Sequence, residues 1–250
     1  MSLMINNPMD TVIEVKNLQK SFRNMEILRG IDLKLHKGEN IGIIGKSGCG
    51  KSVLTKCIVR LVEPDEGEVY ISGNDVLTMN DNELTERHKK GGYLFQGGAL
   101  YDSMNIRENL EFPIRRTQFI RHRQEVESMV VEALENVGLL SAIHKMPAEL
   151  SVGMRKRIGL ARAIILKPEI IFYDEPTSGL ERRTAGEISE VIVEIQEKYQ
   201  ASSIIITHDL KCAKTATNNI KLLKNGLFYA QGTFDELSHS DDKEIRDYLT

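Results

Sequence analysis

Gly45-Lys46-Ser47-Gly48-Cys49-Gly50-Lys51-Ser52 is the stretch from which the fold is read. It fits G-x-x-x-x-G-K-[ST], a loop whose backbone wraps phosphate groups. Asn40-Ile41-Gly42-Ile43-Ile44 before it reads as a buried strand. Ser52 to Leu61 after it reads as a helix, with Leu54, Ile58 and Leu61 on one face. A plain Gly-rich turn could carry the same glycines, but the strand–loop–helix setting favours phosphate binding. The glycines among Gly45, Lys46, Ser47, Gly48, Cys49 and Gly50 let backbone N–H groups turn toward one centre. The helix N-terminus adds partial positive charge. Lys51 is expected to reach the β- and γ-phosphates, and Ser52 to offer its hydroxyl to Mg²⁺. Cys49 lies among these donors at a helix start, a setting expected to lower a thiol's pKa and make it reactive.

The 250 residues are 41% hydrophobic and 28% charged. That suits one large α/β domain, or one core with an inserted lobe. A net charge of −3 and a pI near 6.1 argue against general nucleic-acid binding, and no nucleic-acid partner is expected. The 3 cysteines, Cys49, Cys57 and Cys212, form no disulfide framework or zinc spacing. Cys49 inside the loop calls for a reducing compartment. Met1 to Asp10 shows no signal-peptide pattern, and no apolar run approaches the ~20 residues that cross a bilayer. The chain is expected to be soluble, with a separate subunit supplying any membrane part.

Val12 to Phe22 and Glu26 to Leu35 read as partnered strands, with a turn at His36-Lys37-Gly38-Glu39. Glu68 to Ser72 reads as a short strand, Asn82 to Lys89 as a solvated helix, and Gly92 to Phe95 as a strand ending at Gln96. From there to Leu150 the pattern is helical: Val126, Met129, Val130, Ala133, Leu134 and Val137 fall on one helical face. Val152 to Leu166 reads as a helix capped by Ser151. Glu169 to Tyr173 and Ser203 to Thr207 are buried strands, separated by a helix striped with Ile188, Val191, Ile192, Ile195 and Tyr199. Asn225-Gly226 joins two further strands in a type I′ hairpin. Thr233-Phe234-Asp235-Glu236 is a capping box for a last short helix. Strands alternating with helices imply a mostly parallel, covered sheet.

Ile170 to Tyr173 ends in Asp174-Glu175-Pro176. An isolated acidic pair would read as an ordinary strand end. After a phosphate loop, Asp174 is placed to hold Mg²⁺, and Glu175 to polarise an attacking water.

Leu150-Ser151-Val152-Gly153-Met154, followed by Arg155-Lys156-Arg157, resembles the signature motif of the ABC ATPases. Other markers fall in that family's order. Gln96 matches the Q-loop glutamine, Ser178-Gly179-Leu180-Glu181 the D-loop, and Thr207-His208-Asp209 the switch-histidine region. Phe22 stands where the family stacks an aromatic ring on adenine. The resemblance spans roughly residues 12 to 240. It implies an α/β fold: a P-loop NTPase (RecA-like) core over 12–96 and 151–240, with an antiparallel β subdomain. A helical subdomain would be inserted at 97–150, and a C-terminal tail would cover 241–250. ATP and Mg²⁺ are the implied cofactors. Lys51, Glu175 and His208 would be catalytic, Ser52, Gln96 and Asp174 would hold the metal, and Ser151 with Gly153 would face the nucleotide of a second copy. Two ATP would then be sandwiched in a head-to-tail dimer that drives a separate integral membrane permease.

The runs Leu94 to Met104, Asn109-Leu110-Glu111-Phe112-Pro113 and Met146 to Arg157 resemble the bacterial Mla group, which traffics lipid with MCE (mammalian cell entry) proteins. An MCE-type partner, a lipid cargo and a peripheral place on the cytoplasmic face of the inner membrane are therefore expected. Gly97 to Phe112 is where a permease would dock. Two alternatives stay open: an ATPase for a polar-solute importer, and a regulatory ABC ATPase outside transport. The chain departs from the family pattern at two positions. Val152 replaces the usual signature glycine and is expected to crowd the partner's nucleotide, and Glu181 replaces the usual D-loop aspartate. Both bear on hydrolytic rate rather than fold.

Overall fold

The computed structural model describes residues 11–95, 100–117 and 122–249. β1 (Thr11–Phe22) and β2 (Met25–His36) pair antiparallel. β3 (Asn40–Ile44) runs into the phosphate loop and α1 (Lys51–Ile58). β4 (Glu66–Ile71), β5 (Asn74–Asp75), α2 (Asp81–Lys89) and β6 (Gly91–Leu94) follow. Next come α3 (Ile106–Arg115) and α4 (Arg123–Asn136). The chain then alternates through α5 (Val152–Ile164), β7 (Ile170–Asp174), α6 (Arg182–Tyr199), β8 (Ser202–Ile206) and α7 (Leu210–Ala216). It ends with β9 (Asn219–Lys224), β10 (Leu227–Gly232), α8 (Phe234–Ser238) and α9 (Lys243–Tyr248).

Two sheets result. One has 4 strands in the order β2-β1-β4-β5, all antiparallel, and the other has 6 in the order β10-β9-β3-β8-β7-β6. From β9 to β6 the larger sheet is parallel, and β10 closes one edge antiparallel. Alternate residues of a strand face opposite sides, so β7 and β8 feed two cores. Ile170, Phe172, Ile204 and Ile206 pack with the antiparallel sheet and α1, against Ile13, Leu33, Leu54 and Ile58. Ile171, Tyr173 and Ile205 pack on the helical side, with Leu110, Leu134, Ile158 and Ile188. β7 and β8 are buried along their whole length, as expected for a sheet covered on both faces.

Three expectations change. α1 stops at Ile58, because Val59 is its C-cap and Arg60 turns left-handed at φ 53°. Leu61 therefore leaves the helix face and is 54% exposed. The strand expected at Glu68 to Ser72 is shifted to Glu66–Ile71. The segment expected to be a tail contains α9, started by the Asp242 side chain accepting from Glu244 N–H. No helix among the described residues is long and apolar enough to cross a membrane.

Candidate functional site

The strand order β3-β8-β7 sets three loops side by side at the carboxyl ends of parallel strands, where open α/β sheets bind ligands. β3 delivers the phosphate loop, β8 delivers Thr207-His208, and β7 delivers Asp174-Glu175. A cleft of about 540 Å³ joins Gly45, Lys46, Ser47, Gly48, Gly50, Lys51 and Ser52 to Glu175, His208 and Phe22. The cleft thus gathers residues more than a hundred positions apart, as their motifs required.

Gly50 is the N-cap of α1, at φ 107°, and supplies no side-chain acceptor to the helix. The first-turn N–H groups of α1 are thus left for an anion, with the helix dipole behind them. Lys51 Nζ folds onto its own loop, donating to Gly45 O at 2.7 Å and Lys46 O at 3.2 Å. Phe22 is 46% exposed at the end of β1, an apolar face beside the phosphate loop, with Lys20 Nζ 5.4 Å from its ring centre.

Ser52 Oγ donates to Asp174 Oδ1 at 3.0 Å. This hydroxyl–carboxylate pair of hard oxygens suits Mg²⁺, which takes few protein ligands and completes its shell with water and phosphate. No cluster of ≥ 3 His, Cys, Asp or Glu that could hold a metal ion occurs among the described residues.

Glu175 carries φ 53°, a left-handed conformation that costs a residue with Cβ on the order of 1–3 kcal/mol. The turn is held at both ends. Glu175 N–H donates to Ile206 O at 2.8 Å, while its carbonyl accepts from Lys156 Nζ at 2.9 Å and Ser178 Oγ at 3.0 Å. So held, the carboxylate meets His208 Nδ1 at 2.7 Å. An ionised carboxylate only accepts, so the imidazole is the donor. Burial lowers the pKa of Lys156, while the nearby Glu175 and Asp174 carboxylates oppose that shift.

The signature residues stand apart. Ser151 caps α5, its Oγ accepting from Met154 N–H at 3.2 Å, and neither it nor Gly153 lines this cleft. A Cβ on Gly153 would stand 2.7 Å from Thr184 Cγ2, so any larger residue there would have to displace the Thr184 side chain on α6. Val152 is 46% exposed. Gln96 and residues 97–99 lie outside the described residues.

The expectation for Cys49 is overturned. Its side chain packs against the apolar cluster under the antiparallel sheet, and desolvation pushes its thiol up, outweighing the opposing charge of Lys51. The thiol does not line the cleft, and Cys49 N–H closes a turn onto Lys46 O at 3.3 Å. All 3 cysteines are free, and burial holds Cys57 and Cys212 up at about 11.

Two contributors escaped the sequence reading. Tyr248 Oη, on α9, accepts from Lys46 N–H at 2.9 Å, tying the C-terminal helix to the phosphate loop. Lys156 reaches under the Glu175 turn from the signature helix. For Tyr248 no local signal existed. For Lys156 the signal was a lysine inside an otherwise apolar helix face.

A second cleft, of about 450 Å³, opens between α2, α3, α5 and β6, lined by Tyr93, Phe95, Tyr101, Phe112, Pro113 and Arg116 among others. Tyr101 and Phe112 rings meet at 4.7 Å, with Arg162 over the first and Arg116 over the second. Asn109 is fully buried beneath them. Its amide donates to the carbonyls of Tyr101, Met104 and Asn105, and its oxygen accepts from Tyr101 N–H at 2.8 Å.

The family profile described as ABC transporter matches residues 28–178. The chain is 38% identical over 242 residues to the probable ribonucleotide transport ATP-binding protein mkl of Mycobacterium leprae, covering 97% of this chain and 70% of that one. It is 34% identical over 238 residues to the intermembrane phospholipid transport system ATP-binding protein MlaF of Haemophilus influenzae, covering 95% and 90%. Among solved structures it resembles the dimeric ATP-binding cassette MJ0796 in a post-hydrolysis state bound to ADP and Pi. That match has TM-score 0.82 and 29% identity, over 88% of this chain and 98% of that one.

Proposed function

We propose, from the premise that this chain belongs to the ABC transporter family, that it powers a permease moving phospholipid or a related lipid. The chain is the ATPase of an ABC transporter, using ATP with Mg²⁺. What carries the lipid reading is the near end-to-end match to a phospholipid-transport ATPase, 95% of this chain against 90% of that one.

In this reading Lys51, the loop N–H groups and the α1 N-terminus bind the β- and γ-phosphates, and Phe22 stacks on the adenine. Ser52 and Asp174, with Gln96, would hold Mg²⁺, which would supply positive charge to offset that of the phosphates. Glu175 accepts a proton from the water whose oxygen attacks the γ-phosphorus as the bond to ADP breaks. His208 holds the Glu175 carboxylate and turns to the γ-phosphate when nucleotide is bound. Ser151 and Gly153 complete the site of a second copy, and two copies close on two ATP.

The aromatic cleft around Tyr101 and Phe112 receives the permease, and the helical lobe of 97–150 carries motion to it. The assembly sits on the cytoplasmic face of the inner membrane, peripheral to it, with an MCE-type lipid-binding protein in the same complex. A second reading, a polar-solute transporter, is supported by the 38% identity to a protein named for ribonucleotide transport.

The test is to co-express the chain with the permease encoded beside it, purify, measure ATPase activity and extract bound small molecules for mass spectrometry. Retained phospholipid and stimulated ATPase are expected. Stimulation by a polar solute with no lipid retained would reject the lipid reading, and failure to bind any permease would favour a regulatory ATPase.

A further inference from the structure

Several donors converge on one backbone carbonyl at the end of β7. Glu175 O accepts from Lys156 Nζ at 2.9 Å, Ser178 Oγ at 3.0 Å and Ser178 N–H at 3.2 Å. Lys156 is only 5% exposed, and its Nζ also lies 3.5 Å from Ser178 Oγ. A buried ammonium is retained only where it finds strong acceptors, and an amide carbonyl under a carboxylate-bearing turn is one. The turn needs holding. Glu175 is left-handed at φ 53°, and an L residue relaxes out of that region unless its surroundings fix it. Its N–H is fixed by Ile206 of β8, and its carbonyl by a side chain from another element, α5. If the carbonyl swung free, the peptide would rotate and carry the carboxylate away from His208 Nδ1, now 2.7 Å distant.

We propose that Lys156 is a positioning residue: it holds the Glu175 carbonyl, fixes the left-handed turn that aims the Glu175 carboxylate into the nucleotide cleft, and ties that aim to helix α5. The inference rests on the reading of Glu175 as the residue that polarises the attacking water. It deepens that reading. Ser151 caps α5 and Gly153 lies in its first turn, the two residues assigned to the second copy's nucleotide. Engagement of that nucleotide and alignment of the carboxylate therefore share one rigid helix, which links hydrolysis to pairing of the two copies.

The full chain tests this with Lys156→Met, which keeps the apolar stem and removes the donors, alongside Glu175→Gln and the double variant. Steady-state ATPase, affinity for a fluorescent ATP analogue and melting temperature are measured. Lys156→Met is expected to lower kcat at least tenfold with KM and nucleotide affinity within twofold, and to cause no further loss in the Glu175→Gln background. A wild-type kcat, a rise in KM with kcat held, or an equal loss in both backgrounds would overturn the proposal. Should Lys156→Met fail to fold, Ser178→Ala strips another donor from the same carbonyl. A lower kcat at constant KM then supports the proposal, and an unchanged kcat overturns it. Wild-type hydrolysis by Glu175→Gln would instead remove the premise about Glu175. Lost hydrolysis in Glu175→Gln beside a wild-type kcat in Lys156→Met would remove only the role of Lys156.

Discussion

On the proposed reading Glu175 polarises the attacking water; its side chain is 11% exposed and that of its partner His208 65% exposed. Glutamine keeps its shape and loses the base. Glu175→Gln should bind ATP like the wild type and lose roughly 10²–10⁴ in phosphate release. Phosphate release at the wild-type rate would remove Glu175 from that role. Val152 makes a smaller claim. It is 46% exposed at the first turn of α5, so glycine there leaves no cavity. Val152→Gly should give equal or faster ATPase in the assembled complex. A tenfold loss, about 1.4 kcal/mol of barrier, would mean the side chain makes a needed contact. Cys49 shows how a local rule yields to burial. The helix start and Lys51 favour the thiolate, yet desolvation outweighs them. At neutral pH Cys49 should react with a thiol reagent more slowly than a free model thiol, and faster as pH rises. Rates matching or exceeding the model thiol at pH 7 would contradict this.

At the scale of elements, the sequence marked what local chemistry controls. Asn225 and Gly226 take φ 49° and 75°, as a type I′ turn requires, and the Thr233–Glu236 capping box forms. Val126 to Val137 packs as its periodicity indicated. The end of α1 was misread because apolar spacing runs on to Leu61 after Arg60 has turned left-handed. Contacts between distant elements were illegible. Nothing near Tyr248 announces that its hydroxyl meets Lys46, 202 residues earlier in the chain. Asn109 stood out only as part of a motif, and its reason is structural: it closes the Tyr101–Asn105 turn beneath the aromatic cleft. Asn109→Leu would remove the amide hydrogen bonds that hold this partly buried turn, so stability should fall by about 1–3 kcal/mol in urea unfolding. A change under about 0.5 kcal/mol, the usual range for surface positions, would show that the turn stands without it.

For the whole molecule, one fact organises the rest: the cleft of a single chain contains the phosphate loop, Glu175, His208 and Phe22, but neither Ser151 nor Gly153. The phosphate loop, Glu175 and His208 could be placed together from the sequence, because parallel strands β3, β8 and β7 deliver them to one edge, whereas Phe22 arrives from β1 of the antiparallel sheet. The proposed service of Ser151 and Gly153 to a second copy rests on resemblance alone, since no single chain's pattern encodes its partner's position. On the proposed reading the isolated chain is half of two sites. The direct measurement is the mass in solution of Glu175→Gln with Mg²⁺ and ATP, by light scattering. Twice 28.3 kDa is expected with ATP and 28.3 kDa without it. ATP fully bound to a chain that stays at 28.3 kDa would contradict it.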